Sequence, residues 1–485
     1  MAAPTPSLSP VSPRKQRLAA LMDRLAPERA AWIERHAYFH AEDLRFLRFA
    51  IPEGARVLEI GCGVGDLLAG LKPGRGVGID LSAGMIEQAR QRHPELEFHH
   101  GDAEKADDLA AIEGPFDFIV LSDTVGDLED IESTLGLLHR LCDADTRLIV
   151  AYHARLWMPV LRGGEMFGLK MPSTIENWLS TEDIAAMLGL ADFEVIRRDW
   201  RQLIPLRLKG VADPINKYLG TLPGIRALCL RNYVIARSRR FAAAEKRPSC
   251  TVFIPARNEK GNIEPAVQRI PDFCDDLEIL FVEGHSRDGT FEECERVRDA
   301  YPGRDIKVLK QPGKGKGDAV RAGFEAARGE VLMILDADLT VPPEDLPKFY
   351  NALVSGKGEF INGSRLVYPM EREAMRFLNL IANHSFSVLF TWLLNQRFTD
   401  TLCGTKVLYR RHYDEIAANR AYFGDFDPFG DFDLIFGAVK RNLKIVEIPI
   451  RYQARAYGET QISRFTHGWE LLKMVVFAYR KIKTA

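Results

Sequence analysis

Two aspartates one residue apart, Asp336 and Asp338, close the apolar run Val331-Leu332-Met333-Ile334-Leu335. Like charges that close repel, and each is costly beside an apolar core unless a positive partner compensates. Hard carboxylate oxygens in this setting suit Mg²⁺ or Mn²⁺ bridging a pyrophosphate diester, where the metal stabilises charge on a departing nucleoside diphosphate. Nearby in pattern, Pro255, Arg257 and Glu259 end or follow the run "CTVFIPA", and Glu283 ends "LEILFVE". The stretch "KQPGKGKGD" carries Lys314 and Lys316 ahead of a helical pattern, a suitable contact for an anion. The Gly-Lys-Ser/Thr order of a Walker loop is missing. Arg365 and Arg455 can hold phosphates by paired bonds.

A second set lies in the first half. "VLEIGCGVGD" places Glu59, Gly61, Gly63 and Gly65 where a strand turns into a helix, a turn that lets the backbone approach a ligand. Asp80 ends the next strand, where a carboxylate can accept both hydroxyls of a ribose. Asp102 and Ala103 follow the third strand, with Asp102 placed to reach an adenine amino group. Ser122 and Asp123 end the fourth, beside the crevice where ligands of open α/β sheets sit. Tyr152 and His153 end the fifth, and the His153 imidazole reads either as a general base or as a structural group.

The elements that position these residues alternate short apolar runs with helical patterns. "RVLEIG", "GVGID", "LEFHH", "FDFIVLS", "TRLIVAY", "FEVIRR" and "NYVIARS" read as strands, and a mainly parallel sheet covered on both faces follows. A second series starts at "CTVFIPA" and continues through "LEILFVE", "IKVLK", "EVLMILD" and "EFINGS". The expected division is a disordered tail over 1–15, a first domain over 16–240, a linker over 241–248 and a second domain over 249–485. A chain of 485 residues exceeds one ordinary core, which agrees with two domains.

Net charge is −2, so phosphates must be met by local sites, and no nucleic-acid partner is expected. Seven scattered cysteines without a Cys-x-x-Cys pair argue against disulfide and zinc frameworks and fit a reducing, cytoplasmic setting. No long uninterrupted apolar run suggests a spanning helix. Within Phe377 to Arg397, polar residues Asn379, Asn383, Ser387, Thr391 and Asn395 recur every fourth position, which suits either an interfacial helix or a core helix.

The residues Glu59-Ile60-Gly61-Cys62-Gly63-Val64-Gly65, Asp80 and Gly101-Asp102-Ala103 resemble the class I S-adenosylmethionine-dependent methyltransferases over about residues 40–240. The glutamate two places before the first glycine favours the methyl donor over a pyridine dinucleotide. The resemblance implies a Rossmann-like fold and cofactor contacts from Glu59, Gly61, Gly63, Gly65, Asp80, Asp102, Ala103 and Ser122, with the methyl acceptor unspecified. Asp336-Ala337-Asp338, Gly363-Ser364-Arg365, "DTLCGTKVLYRR", "GDFDL" and Arg455-Ala456-Tyr457-Gly458-Glu459-Thr460 together resemble family 2 glycosyltransferases of the polyprenyl-phosphate sugar synthase group, over about 249–465. That implies a GT-A fold and inversion at the anomeric carbon. It also implies a nucleotide-diphosphate sugar donor, a polyprenyl-phosphate acceptor and peripheral attachment to the cytoplasmic face of a membrane. By the same resemblance Asp336 and Asp338 hold the metal, and Asp431, Asp338 and Arg365 serve catalysis. Pro255, Arg257, Glu259, Glu283, Lys316, Asp336, Ala337, Asp338, Arg365 and Arg455 would contact the donor. Two departures stand out: Glu283-Gly284-His285-Ser286 replaces Asp-Asp-Gly-Ser, and Gln461 replaces a lysine. Alternative readings are a glycosyltransferase regulated by a non-catalytic cofactor-binding domain, and a sugar-nucleotide pyrophosphorylase.

Overall fold

The computed structural model of the chain describes residues 12–173, 176–244, 246–368, 377–423, 430–453, 455, 457 and 464–484. They fall into two units that divide between Arg240 and Phe241. Residues 1–11 of the expected tail lie outside the described set, as do Gly458, Glu459, Thr460 and Gln461. Residues 12–15 are not tail. Ser12 caps a helix, Pro13–Arg35, by accepting from the Lys15 amide, with Pro13 at the first helical position. The expected linker is also tied down. In the second unit Ala244 N–H donates to Val354 O at 2.8 Å, and Tyr350 Oη donates to Pro248 O at 2.7 Å.

The first unit is one seven-stranded sheet of β1 (Arg56–Ile60), β2 (Arg75–Asp80), β3 (Glu97–His100), β4 (Phe118–Ser122), β5 (Arg147–His153), β6 (Phe193–Arg201) and β7 (Arg231–Ser238). Their order is β3-β2-β1-β4-β5-β7-β6, with β7 antiparallel to both neighbours and the other pairs parallel. Order reverses between β1 and β4, so Glu59, Asp80 and Ser122 gather at one crevice. Strands β1, β4 and β5 are buried almost end to end because helices cover both faces. The helices Pro13–Arg35 and Ala37–Ala50 precede this sheet and supply side chains to its carboxyl edge.

The second unit has β8 (Cys250–Ala256), β9 (Leu277–Glu283), β10 (Asp305–Lys310), β11 (Val331–Ile334), β12 (Phe360–Ser364), β13 (Lys406–Tyr409) and β14 (Ile445–Pro449). Their order is β10-β9-β8-β11-β13-β12-β14, with β13 antiparallel to both β11 and β12. The four-residue β13 has no counterpart in the strand reading of the sequence. It is short and carries a lysine, so it shows neither alternation nor an uninterrupted apolar run.

Within the helix Phe377–Leu394 the polar stripe is described at Ser387 and Thr391, while the side chains of Asn379 and Asn383 lie outside the described residues. Ser387 and Thr391 point inward, where their hydroxyls donate to Phe398 O at 3.0 and 3.1 Å. Phe390, Leu393 and Leu394 are fully buried, with Phe390 against Phe432 and Phe436. One face of the described part of this helix is therefore core, while His384, Ser385 and Val388 are exposed. Among the described residues no helix is long and apolar enough to cross a membrane.

Candidate functional site

The first site sits at the carboxyl edge of β1, β2 and β4. Gly61, Gly63 and Gly65 all have positive φ in the turn between β1 and the helix Asp66–Gly70. Gly61 is required there twice over: its φ is 72°, and a Cβ would lie 2.3 Å from Thr124 Oγ1. Asp80 accepts from Gly63 N–H at 2.8 Å and Ser82 N–H at 2.9 Å, which fixes its carboxylate over the glycine turn. Glu59 is buried, and its Oε2 has no hydrogen-bond partner. Burial, reinforced by the neighbouring Asp80, pushes the Glu59 carboxyl well above the usual range, and burial also raises Asp80. A buried acid with an orphaned oxygen beside a half-buried one fits a ligand that brings hydroxyls and positive charge.

The N-terminal helix supplies residues that the sequence reading missed. Arg29 lies within electrostatic reach of Asp123, Asp80, Asp66 and Glu59; burial lowers its guanidinium while these carboxylates oppose the shift. Lys15 Nζ bonds Asp102 Oδ2 at 2.6 Å and also pairs with Glu104. Asp102 Oδ1 accepts from Glu104 N–H at 3.0 Å, so the carboxylate expected to reach an adenine amino group already has partners on both oxygens. Ala103, beside it, packs against the core. No motif marks Lys15 or Arg29, 46 and 32 residues before Gly61, as part of this site.

At the ends of β4 and β5, Ser122 Oγ accepts from Arg231 Nη2 at 2.7 Å. Arg231 is fully buried and makes two bonds to Asp43, at 2.9 and 3.1 Å, as well as pairing with Asp123. His153 Nδ1 stands 3.0 Å from Asp123 Oδ1, and its ring stacks on Phe39 at 5.6 Å between centroids. Ser122 thus belongs to an arginine network, and His153 is positioned by an acid.

The second site sits at the carboxyl edge of β8, β9 and β11. Asp336 lies two residues past β11, over Gly404; a Cβ on that glycine would fall 1.8 Å from Asp336 Oδ2. Lys316, the first residue of the helix Lys316–Ala326, places Nζ 2.9 Å from Asp336 Oδ1 and 3.8 Å from Asp431 Oδ2. Burial lowers the Lys316 ammonium, but Asp336 and Asp431 outweigh it and raise the group above its ordinary value. Burial raises Asp336, and Lys316 overrides it, leaving the carboxyl below the usual range. Asp431 is also faced by Lys406 Nζ at 3.2 Å, from a fully buried side chain on β13. Lys406 is the other residue missed; the inward lysine of "TKVLY" was its only signal.

Asp338 Oδ2 meets Arg455 Nη2 at 2.5 Å, and its Oδ1 accepts from Thr340 Oγ1 at 2.8 Å. Arg455 Nη1 lies 3.6 Å from Glu259 Oε1, and Glu259 Oε2 accepts from Asn262 at 2.6 Å. Ala337 between the two aspartates is buried. Pro255 is half-buried at the end of β8, and Arg257 after it is exposed. The loops after β8 and β9 are knitted together: Asn258 N–H donates to Ser286 Oγ at 2.8 Å, and Arg287 N–H donates to Asn258 Oδ1 at 2.9 Å.

Two expected donor contacts are committed elsewhere. Glu283 is buried and accepts from Ser286 N–H, bracing the turn that replaces Asp-Asp-Gly-Ser. Arg365 forms a fork with Asp400, Nε to Oδ2 and Nη2 to Oδ1, both at 2.7 Å. Asp400 is almost wholly buried and needs that cation, so Arg365 reaches the metal-pair region as charge rather than as a free fork. Asp433 pairs with Arg420 at 2.8 Å, apart from Asp431. Asp336 and Asp431 share Lys316, Asp338 lies within electrostatic reach of the same ammonium, and Asp431 Oδ1 faces Lys406 Nζ at 3.2 Å, so the hard oxygens that could hold a divalent cation are here held by lysines.

The family description "Glycosyl transferase family 2" matches residues 251–417, and "Methyltransferase domain" matches residues 32–198. A dolichyl-phosphate hexose transferase of Haloferax volcanii is 30% identical over 219 residues, covering 44% of this chain and 86% of its own length. The chain belongs to the family 2 glycosyltransferases, fused to a methyltransferase domain. A dolichol-phosphate mannosyltransferase of Pyrococcus furiosus is similar to the glycosyltransferase domain at 31% identity, covering 48% of this chain and 63% of its own length. Across three curated relatives the chain spans 40% to 63% of their length. Among solved structures, a SAM-dependent methyltransferase of Thermotoga maritima covers 45% of this chain and 99% of its own, at 20% identity and TM-score 0.36.

Proposed function

We propose that the chain is a bifunctional transferase. The glycosyltransferase domain moves a sugar, with inversion, from a nucleotide-diphosphate donor to a polyprenyl phosphate, and the methyltransferase domain uses S-adenosylmethionine. The observation that carries the reading is the convergence of Asp336, Asp338 and Asp431 with Lys316, Lys406 and Arg455 at one sheet edge. A divalent cation held by Asp336 and Asp338 supplies Lewis-acid stabilisation of the leaving diphosphate. Lys316 and Arg455 stand where they can exchange their carboxylate partners for phosphate oxygens. An acceptor phosphate is already anionic at neutral pH, so its oxygen attacks the anomeric carbon without a strong base. Asp431, held between two ammonium groups, then serves to orient rather than to deprotonate.

A lipid acceptor is supported by the relatives' names and by the helix Arg464–Ala478, which exposes Trp469, Leu472 and Val476 beside Lys473. In the methyltransferase domain, bound S-adenosylmethionine supplies an electrophilic methyl group on a sulfonium. Glu59 with its orphaned oxygen suits the cofactor's ammonium group, and Asp80 suits its ribose. A sugar-nucleotide pyrophosphorylase is disfavoured, because its glycine- and lysine-rich loop would follow the first strand, whereas here it follows β10.

The test is incubation of the full chain with a panel of nucleotide-diphosphate sugars, Mn²⁺ or Mg²⁺, and polyprenyl phosphate. A glycolipid whose formation stops on chelation supports the reading; no glycolipid from any donor sinks it. Labelled S-adenosylmethionine in the same mixture separates enzyme from sensor: cofactor binding without any methylated product would make the first domain regulatory.

A further inference from the structure

Two connections leave the carboxyl edge of the first sheet, the edge that carries Glu59 and Asp80. One follows β5 and includes the helix Met158–Met166; the other joins β6 to β7 across residues 202–230. Residues 155–170 and 203–230 hold eleven of the twenty exposed large apolar side chains found among the described residues. Met166 and Phe167 are 84% and 79% exposed, and Leu206 and Leu208 are 62% and 49% exposed. Such a concentration marks an interaction surface rather than scattered surface leucines.

The charge of the same segments is lopsided. They contain seven basic residues, among them Arg155, Arg162, Arg207 and Lys209, against two acidic ones, in a chain whose net charge is −2. Both acids are already engaged: Glu165 with Lys170, and Asp213 as acceptor from Tyr38 Oη at 2.8 Å. Leu206-Arg207-Leu208-Lys209 alternates apolar and basic residues with all four exposed. The two connections are tied to each other, because Trp157 Nε1–H donates to Leu228 O at 2.9 Å and Ala154 N–H donates to Leu230 O at 2.7 Å.

We infer that the methyltransferase domain carries its own docking surface for an anionic lipid bilayer, built from these two connections. Interleaved aliphatic and basic groups match a layer of acyl chains beneath anionic headgroups. A protein partner of ordinary polarity would leave many of these cations without partners. The surface borders the cofactor edge, so the methyl acceptor it serves is a membrane-borne, amphipathic molecule. The docking surface itself requires neither transferase activity, whereas the nature of the methyl acceptor rests on the proposed methyl transfer.

The experiment is flotation of the full chain with phosphatidylcholine vesicles, with and without phosphatidylglycerol. Three double variants are compared: Met166→Glu/Phe167→Glu, Leu206→Glu/Leu208→Glu, and Trp469→Glu/Leu472→Glu in the other domain. All six positions are exposed, and thermal unfolding checks that each variant folds. Either methyltransferase-domain pair is expected to weaken binding to the anionic vesicles about tenfold, and added salt should weaken binding of the unaltered chain. The inference is overturned if the unaltered chain does not float, or if only the Trp469/Leu472 pair lowers flotation. Equal flotation with neutral and anionic vesicles overturns it as well.

Discussion

The two sheet edges both collect acids, but they dispose of the charge differently. Below the glycine turn, Glu59 is buried and Asp80 half-buried, desolvation raises both, and Glu59 keeps an oxygen without a partner. In the glycosyltransferase domain, Asp336, Asp338 and Asp431 each face a lysine or arginine within 4 Å. The contrast tracks the ligands each domain is proposed to take. A cofactor bearing a sulfonium and an ammonium brings its own positive charge, so its acids can wait with only the more distant Arg29 and backbone N–H groups to offset them. An anionic diphosphate with its metal needs acids for the cation and cations for the phosphates, and when empty the two sets hold each other.

The contrast can be broken at its strongest point first. Asp338→Asn should cut sugar transfer about a hundred- to a thousandfold while leaving S-adenosylmethionine affinity unchanged, as measured by glycolipid formation and calorimetry. Lys406→Met should leave buried Asp431 without one of its two cations and cost about 3–5 kcal/mol of stability, read by denaturant unfolding of the full chain. An unchanged midpoint would show that the pairing is decorative.

Glu59→Gln should weaken S-adenosylmethionine binding about ten- to a hundredfold, with sugar transfer intact. Parallel losses in both activities would erase the distinction between the sites. The smallest effect concerns pH. Burial lowers His40 to about 4, below its unfolded value of about 6.5, so between these pH values the unfolded state binds a proton that the folded state does not. Stability of the first unit should therefore fall as pH drops from about 6.5 to about 4, by about 1–3 kcal/mol. His40→Gln should flatten that slope in thermal melts.

Much of this architecture is legible in the sequence because parallel strands covered on both faces leave uninterrupted apolar runs, and their carboxyl ends carry the chemistry. Asp80 at the end of β2 and Asp336 just past β11 follow from that rule alone. What was not legible depends on long-range placement. Lys15 and Arg29 come from a helix with no motif, and Lys406 sits in a strand too short to show a period. Side-chain pairing is equally hidden: nothing in the chain order of Arg365 and Asp400, or Ser122 and Arg231, says that each would be spoken for. The stripe on the helix Phe377–Leu394 left the choice open because a hydroxyl that satisfies a buried backbone carbonyl, as at Ser387 and Thr391, looks in sequence like one that faces water.

The central claim is that the compensated acids, and not those below the glycine turn, hold the metal. Titration of Mn²⁺ into the full chain, followed by electron paramagnetic resonance with and without a nucleoside diphosphate, tests it without relying on turnover. The account expects one site that tightens with the diphosphate, disappears in Asp338→Asn and persists in Glu59→Gln. Mn²⁺ binding that survives Asp338→Asn, or that is lost in Glu59→Gln, would contradict it.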